Sequence, residues 1–165
     1  MEQEDIKKLG CGLISCDLYE VRTLMPEVMD IINTAPIVHD QYIVDVKVHM
    51  LMPFQYPCIP NWHYDFTPRD RDGNKMFDKR NPDSKMLLWL SNPPLTEFED
   101  GRVVNPREWI EFTQLDAHRG VECTEHVWRL FIRLTPKDIH PGARHGKDAL
   151  RRHSQVYLDT KTFEW

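Results

Sequence analysis

Twelve prolines against seven glycines cut this 165-residue chain into short segments with stiff connections. Proline fixes φ and lacks an N–H, so helices stop at it and central strands exclude it. What lies between the prolines is mostly β-forming. Residues 41–52 alternate, with Val44, Val46, Val48 and Met50 against Asp45, Lys47 and His49. The second face turns toward a polar cavity or toward water. Residues 85–92 are near-continuously apolar, the pattern of a strand buried on both sides. Trp109 to Leu115 is a further short strand. Val127 to Thr135 is the clearest, with Trp128, Leu130, Ile132 and Leu134 on one face and Arg129, Phe131 and Arg133 on the other.

One helix is expected. Across residues 17–34, Leu18, Val21, Leu24, Met25, Val28, Ile31 and Ile32 recur at helical spacing, and Asp17 with Glu20 fits a capping box. Pro36 ends it. Leu9 to Ile14 reads as an edge strand. The connection 53–60 holds three prolines, residues 67–84 form a polar loop suited to a substrate lid, and 137–154 is basic and irregular. A last strand or helix spans Val156 to Phe163. Many short strands with one early helix predict a single mostly-β domain over residues 1–165, an antiparallel sandwich or roll of jelly-roll type.

Net charge is −5 and pI about 5.9. That argues against a dedicated surface for bulk nucleic acid. No apolar run reaches membrane-spanning length. Cys11, Cys16, Cys58 and Cys123 form no C-x-x-C pair, which disfavours zinc and predicts reduced thiols. The Met-Glu-Gln-Glu-Asp start has no signal-peptide character, so a cytoplasmic location is expected.

The chemistry centres on Asn61-Trp62-His63-Tyr64-Asp65-Phe66. On an extended segment His63 and Asp65 point the same way and can hold adjacent positions on a divalent metal. With 8 histidines and 15 aspartates, chance gives about 0.7 such triplets, so the triplet alone equally suits a solvated face. A second histidine would complete a facial triad of the kind that suits non-haem Fe(II). The candidates are His49, His118, His126, His140, His145 and His153. His118 is favoured: it follows a strand, precedes Gly120, and leads into the strand carrying Arg129 and Arg133. Two guanidiniums inside a roll are costly without an anion, and a dicarboxylate would supply one.

His63-x-Asp65, then His118, then Arg129 resembles the H-x-D…H…R pattern of the Fe(II)/2-oxoglutarate-dependent oxygenases. The spacings of 11 residues from His118 to Arg129 and 15 to Arg133 resemble the taurine dioxygenase-like and phytanoyl hydroxylase-like branches. The match covers about residues 41–135. It implies a double-stranded β-helix with the N-terminal helix packed on the sheet. It implies His63, Asp65 and His118 as iron ligands and catalytic centre, and Arg129, with Arg133, as the 2-oxoglutarate-binding group. The implied activity hydroxylates a substrate C–H with release of succinate and CO2. The substrate classes left open are a small molecule, a nucleotide and a protein side chain. Only 53 residues separate Asp65 from His118, which leaves little room for a substrate-recognition insert. Two alternatives compete: a cupin-like metalloenzyme that does not use 2-oxoglutarate, and a non-catalytic β-sandwich that binds a partner.

Overall fold

A six-stranded antiparallel sheet dominates the computed structural model, which describes residues 1–37 and 39–158. The elements in chain order begin with α1 (Gln3–Leu9), β1 (Gly12–Cys16), α2 (Leu18–Leu24), α3 (Met29–Ile32), β2 (Tyr42–Leu51) and β3 (Gln55–Tyr56). They continue with β4 (Met86–Leu90), β5 (Thr96–Phe98), β6 (Trp109–Phe112), β7 (His118–Gly120), β8 (Val127–Pro136), β9 (Leu150–Arg151) and β10 (Tyr157–Leu158). The large sheet runs β6-β4-β8-β2-β1-β9. Every neighbouring pair in it is antiparallel.

A smaller layer lies against it. β5 pairs with β7, and His63 bridges to His118 on the other side of β7. The preceding chain runs on beside this layer: Gly120 N donates to Ile59 O at 2.9 Å and Cys123 N to Gln55 O at 2.8 Å. β3 also pairs with β10.

Alternation along the strands divides the core in two. One face of β2, β4 and β8 presents Val44, Val46, Leu87, Trp89, Leu130, Ile132 and Leu134 to Ile6, Val21, Met25, Val28 and Ile32 from the helical segments. The other face sends Met86, Leu88 and Leu90 toward Phe98 of β5 and Phe112 of β6. The expected burial of β4 on both faces is observed: all five of its residues are buried. The polar face of β2 turns inward, not to water, with Asp45 at 4% and His49 at 1% exposure.

Several boundaries differ from expectation for identifiable reasons. The stretch 17–34 is not one helix. Asp17 caps α2 by accepting from Glu20 N at 2.9 Å, but Pro26 ends it and opens a 3-10 turn over Pro26–Val28 before α3. The polar start holds α1, whose single buried residue, Ile6, is too little for a periodic signal. β1 is interior and not an edge, because Leu150–Arg151 from the basic tail covers it. In Trp62–Phe66 only His63 makes a ladder contact. β6 stops at Phe112, and Asp116 then accepts from Thr113 N at 2.6 Å to form a turn. Of the last expected segment, residues 159–163 lie outside the described residues.

Ile132 sits on β8 with no exposure, between sheet and helices. Ile132→Ala is expected to cost about 2–5 kcal/mol in urea unfolding, as large-to-small core changes do. Val103, 78% exposed, is the contrast, and Val103→Ala should stay within about 0.5 kcal/mol.

Candidate metal centre

His63 and His118 are brought together by the backbone. Each donates its N–H to the other's carbonyl at 3.0 Å, the narrow pair of an antiparallel bridge. Their rings lie 4.4 Å apart between centroids. This close approach needs Gly120 two residues on, where a Cβ would stand 2.6 Å from the Cys58 carbonyl oxygen. The ring of His118 is walled by Phe98 at 5.6 Å and Phe112 at 5.5 Å.

The tautomers follow from the partners. His63 Nδ1 lies 3.0 Å from Asn61 O, and His118 Nδ1 lies 3.2 Å from Asp116 O. A carbonyl oxygen only accepts, so both rings carry their proton on Nδ1. That leaves Nε2 as the nitrogen each ring turns away from the backbone, the orientation a metal-binding histidine needs. Burial lowers the His63 pKa, which favours the neutral ring.

Asp65 completes the group. Its Oδ2 lies 3.6 Å from His118 Nε2. One ligand atom from each of His63, Asp65 and His118 falls within 4.8 Å of the other two, the one such cluster among the described residues. Two imidazoles and one carboxylate at this spacing fit a single divalent ion and leave coordination positions open. His49, His126, His140, His145 and His153 take no part in it.

The two arginines are placed differently from one another. Arg133 donates Nη1 to Asp65 Oδ2 and Nη2 to Asp45 Oδ2, both at 2.6 Å. Burial opposes ionisation of both carboxyls, but the Arg133 charge and the hydrogen bonds outweigh it and hold both well below the usual range. The same two carboxylates raise the Arg133 pKa against its own burial. Arg129 is 1% exposed and donates Nε and Nη2 to Pro94 O at 2.8 and 2.5 Å, and Nη2 to Thr96 Oγ1 at 3.0 Å. It has no carboxylate partner among the described residues, and burial lowers its pKa to about 10.

A cavity of about 120 Å³ opens beside the triad. Lys47, Cys58, Thr96, Phe131 and Tyr157 line it with His63, Asp65, His118 and Arg133. Arg129 does not reach its wall. Lys47 makes no hydrogen bond or ion pair with the described residues; its ammonium rests 4.7 Å from the centre of the Phe131 ring. Burial and then Arg133 lower its pKa to about 8, against the pull of Asp65 and Asp45. Burial also pushes the Cys58 thiol up. The alternation of Asp45, Lys47 and His49 was the signal in the sequence for a polar inward face, of which Lys47 reaches this wall. Thr96 and Tyr157 carried none.

The chain matches no protein-family model, no curated protein and no solved structure. The site therefore stands on its own geometry.

Wild-type protein is expected to gain about 2.7 kcal/mol of stability at a Co(II) concentration one hundred times its Kd. His118→Ala should lose that gain. Urea unfolding with and without the ion checks both.

Proposed function

We propose that this chain is an Fe(II)- and 2-oxoglutarate-dependent oxygenase that hydroxylates a C–H bond and releases succinate and CO2. One observation carries the reading beyond a bare metal site: Lys47, whose ammonium has no hydrogen-bond or ion-pair partner among the described residues, lines the same cavity as the triad. A metal and a cation facing one small cavity suit an acid that chelates at one end and carries a carboxylate at the other.

Charge supports this. Lys47, Arg129 and Arg133 set three cations against the carboxylates Asp45 and Asp65, and burial keeps His49 neutral with a pKa of about 2. A divalent metal adds to the excess. A dianion in a low-dielectric pocket offsets it.

Topology supports the double-stranded β-helix that goes with such chemistry. From β2 onward the chain alternates between layers: β2 in the large sheet, residues 55–63 in the small layer, then β4, β5, β6, β7 and β8 in turn. This back-and-forth winding supports a roll, with His63 and His118 paired in the small layer and Asp65 in the turn that follows His63.

In this reading His63 and His118 bind through Nε2 and Asp65 through a carboxylate oxygen. When bound, Fe(II) supplies the redox chemistry that couples O2 and the keto acid to hydroxylation. Lys47 holds the distal carboxylate, a part the resemblance gives to Arg129. Leu88, Phe112 and Phe131 keep the cavity walls apolar and exclude water. Arg129 ties β8 to the Pro94–Thr96 segment beneath.

The test is succinate formation from 2-oxoglutarate with Fe(II), together with 2-oxoglutarate affinity. Lys47→Ala should raise the Kd about 10- to 100-fold, the range of a charged hydrogen bond, and leave metal affinity unchanged. Bound anion requires the ammonium, and the free lysine titrates at about 8. Wild-type affinity should therefore hold below pH 8 and fall about tenfold per unit above it, with no such slope in Lys47→Ala. If metal binds but 2-oxoglutarate neither binds nor turns over, the cupin-like reading replaces this one.

A further inference from the structure

Asp65 stands on chain that the sheets do not hold. Only His63 is laddered, Asp65 itself lies in a turn, and Phe66 follows at φ 50°. The backbone there is held by a side chain, Gln114 Nε2 donating to Phe66 O at 2.5 Å, and not by a ladder. The carboxylate itself is held by Arg133, which sits in the middle of β8, the best-paired strand of the large sheet.

We propose that Arg133 is a positioning residue for the metal centre: Asp45 of β2, tied to a bulge in β1, anchors one side of its fork, and the other side holds the Asp65 carboxylate beside His118. This rests on the metal reading of the triad and not on the identity of any co-substrate.

Four observations converge on it. Arg133 spends one terminal nitrogen on Asp65 and the other on Asp45, both at 2.6 Å. Its Nε has no hydrogen-bond partner among the described residues, so these two carboxylates account for its hydrogen bonding. Its guanidinium is clamped on the Phe66 ring at 4.7 Å, one residue beyond the ligand. Asp45 in turn accepts from Ser15 N at 2.8 Å.

That last bond needs an irregular strand. The β1–β2 register shifts between Leu13 and Cys16, and Ser15 takes φ 55°, a left-handed conformation uncommon for serine. A regular strand would give the Ser15 N–H to the ladder or to the other side. The bulge turns it toward Asp45 instead. The line Ser15–Asp45–Arg133–Asp65 thus joins β1, β2, β8 and the ligand segment. Asp65 Oδ2, the oxygen that Arg133 holds, is the oxygen 3.6 Å from His118 Nε2, so Arg133 fixes where that carboxylate stands against the histidine.

The experiment is anaerobic Co(II) titration, read by the visible d–d absorption, on wild type, Arg133→Gln, Arg133→Lys and Asp45→Asn, with unfolding midpoints measured alongside. Asp45→Asn keeps an oxygen for Ser15 N–H and leaves Arg133 paired with Asp65, so it is the milder change of the two. The expected result is a Co(II) Kd weakened 10- to 100-fold in Arg133→Gln and about tenfold in Asp45→Asn, the scale seen when an outer partner of a ligand is lost. The band shape should change as the carboxylate loses its fixed direction, and Arg133→Lys should recover part of the affinity. Folded variants that keep the wild-type Kd and spectrum, however unstable, would overturn the proposal and leave Arg133 a structural ion pair. A wild type that binds no Co(II) would overturn the metal reading itself.

Discussion

Ten consecutive residue pairs join β2 to β8, from Tyr42 opposite Pro136 to Leu51 opposite Val127. The rest of the molecule depends on that register. It places Val44, Val46, Leu130, Ile132 and Leu134 on the helix-covered face. On the other face it sets Asp45 opposite Arg133, Lys47 opposite Phe131 and His49 opposite Arg129. A slip of one residue would carry every charge into the hydrophobic layer and every aliphatic side chain into the cavity. The burial that stabilises the sheet therefore also fixes the polar interior, and the two cannot be varied separately.

That interior is expensive to build, and its members escape the cost in different ways. Arg129 is satisfied by neutral acceptors, the Pro94 carbonyl and the Thr96 hydroxyl. Arg133 is paired with two carboxylates, its Nε left without a partner among the described residues. Removing either partner of such a buried pair would strand a charge. Among the described residues Lys47 has neither solution, and burial brings its pKa down to about 8. It stands in that condition on the wall of the cavity that His63, Asp65 and His118 also line.

Much of this was legible in the residues. Alternation in 41–52 and 127–135 gave β2 and β8 closely, and the apolar run at 85–92 gave β4 with both faces buried. His63, Asp65 and His118 converge as their spacing and the strand pattern suggested. The limits are equally physical. Pro26 lies inside a periodic apolar pattern, and periodicity alone does not reveal the break it makes. β9 and β10 are two-residue strands whose pairing depends on tertiary neighbours. The roles of Arg129 and Arg133 look equivalent in sequence, since both lie on the inward face four residues apart. Which acceptors they meet is decided by Pro94, Thr96, Asp45 and Asp65 on other segments, and no local pattern encodes that. Tyr157 reaches the cavity for the same nonlocal reason.

The most direct test of the account is an anaerobic titration of the metal-free protein with Fe(II) and then 2-oxoglutarate, followed by visible absorption. A keto acid chelated to Fe(II) gives a metal-to-ligand charge-transfer band. The account predicts that the band appears with one equivalent of each and is absent in His63→Ala. Iron binding that survives His63→Ala, or a wild-type protein that never develops the band, would contradict it.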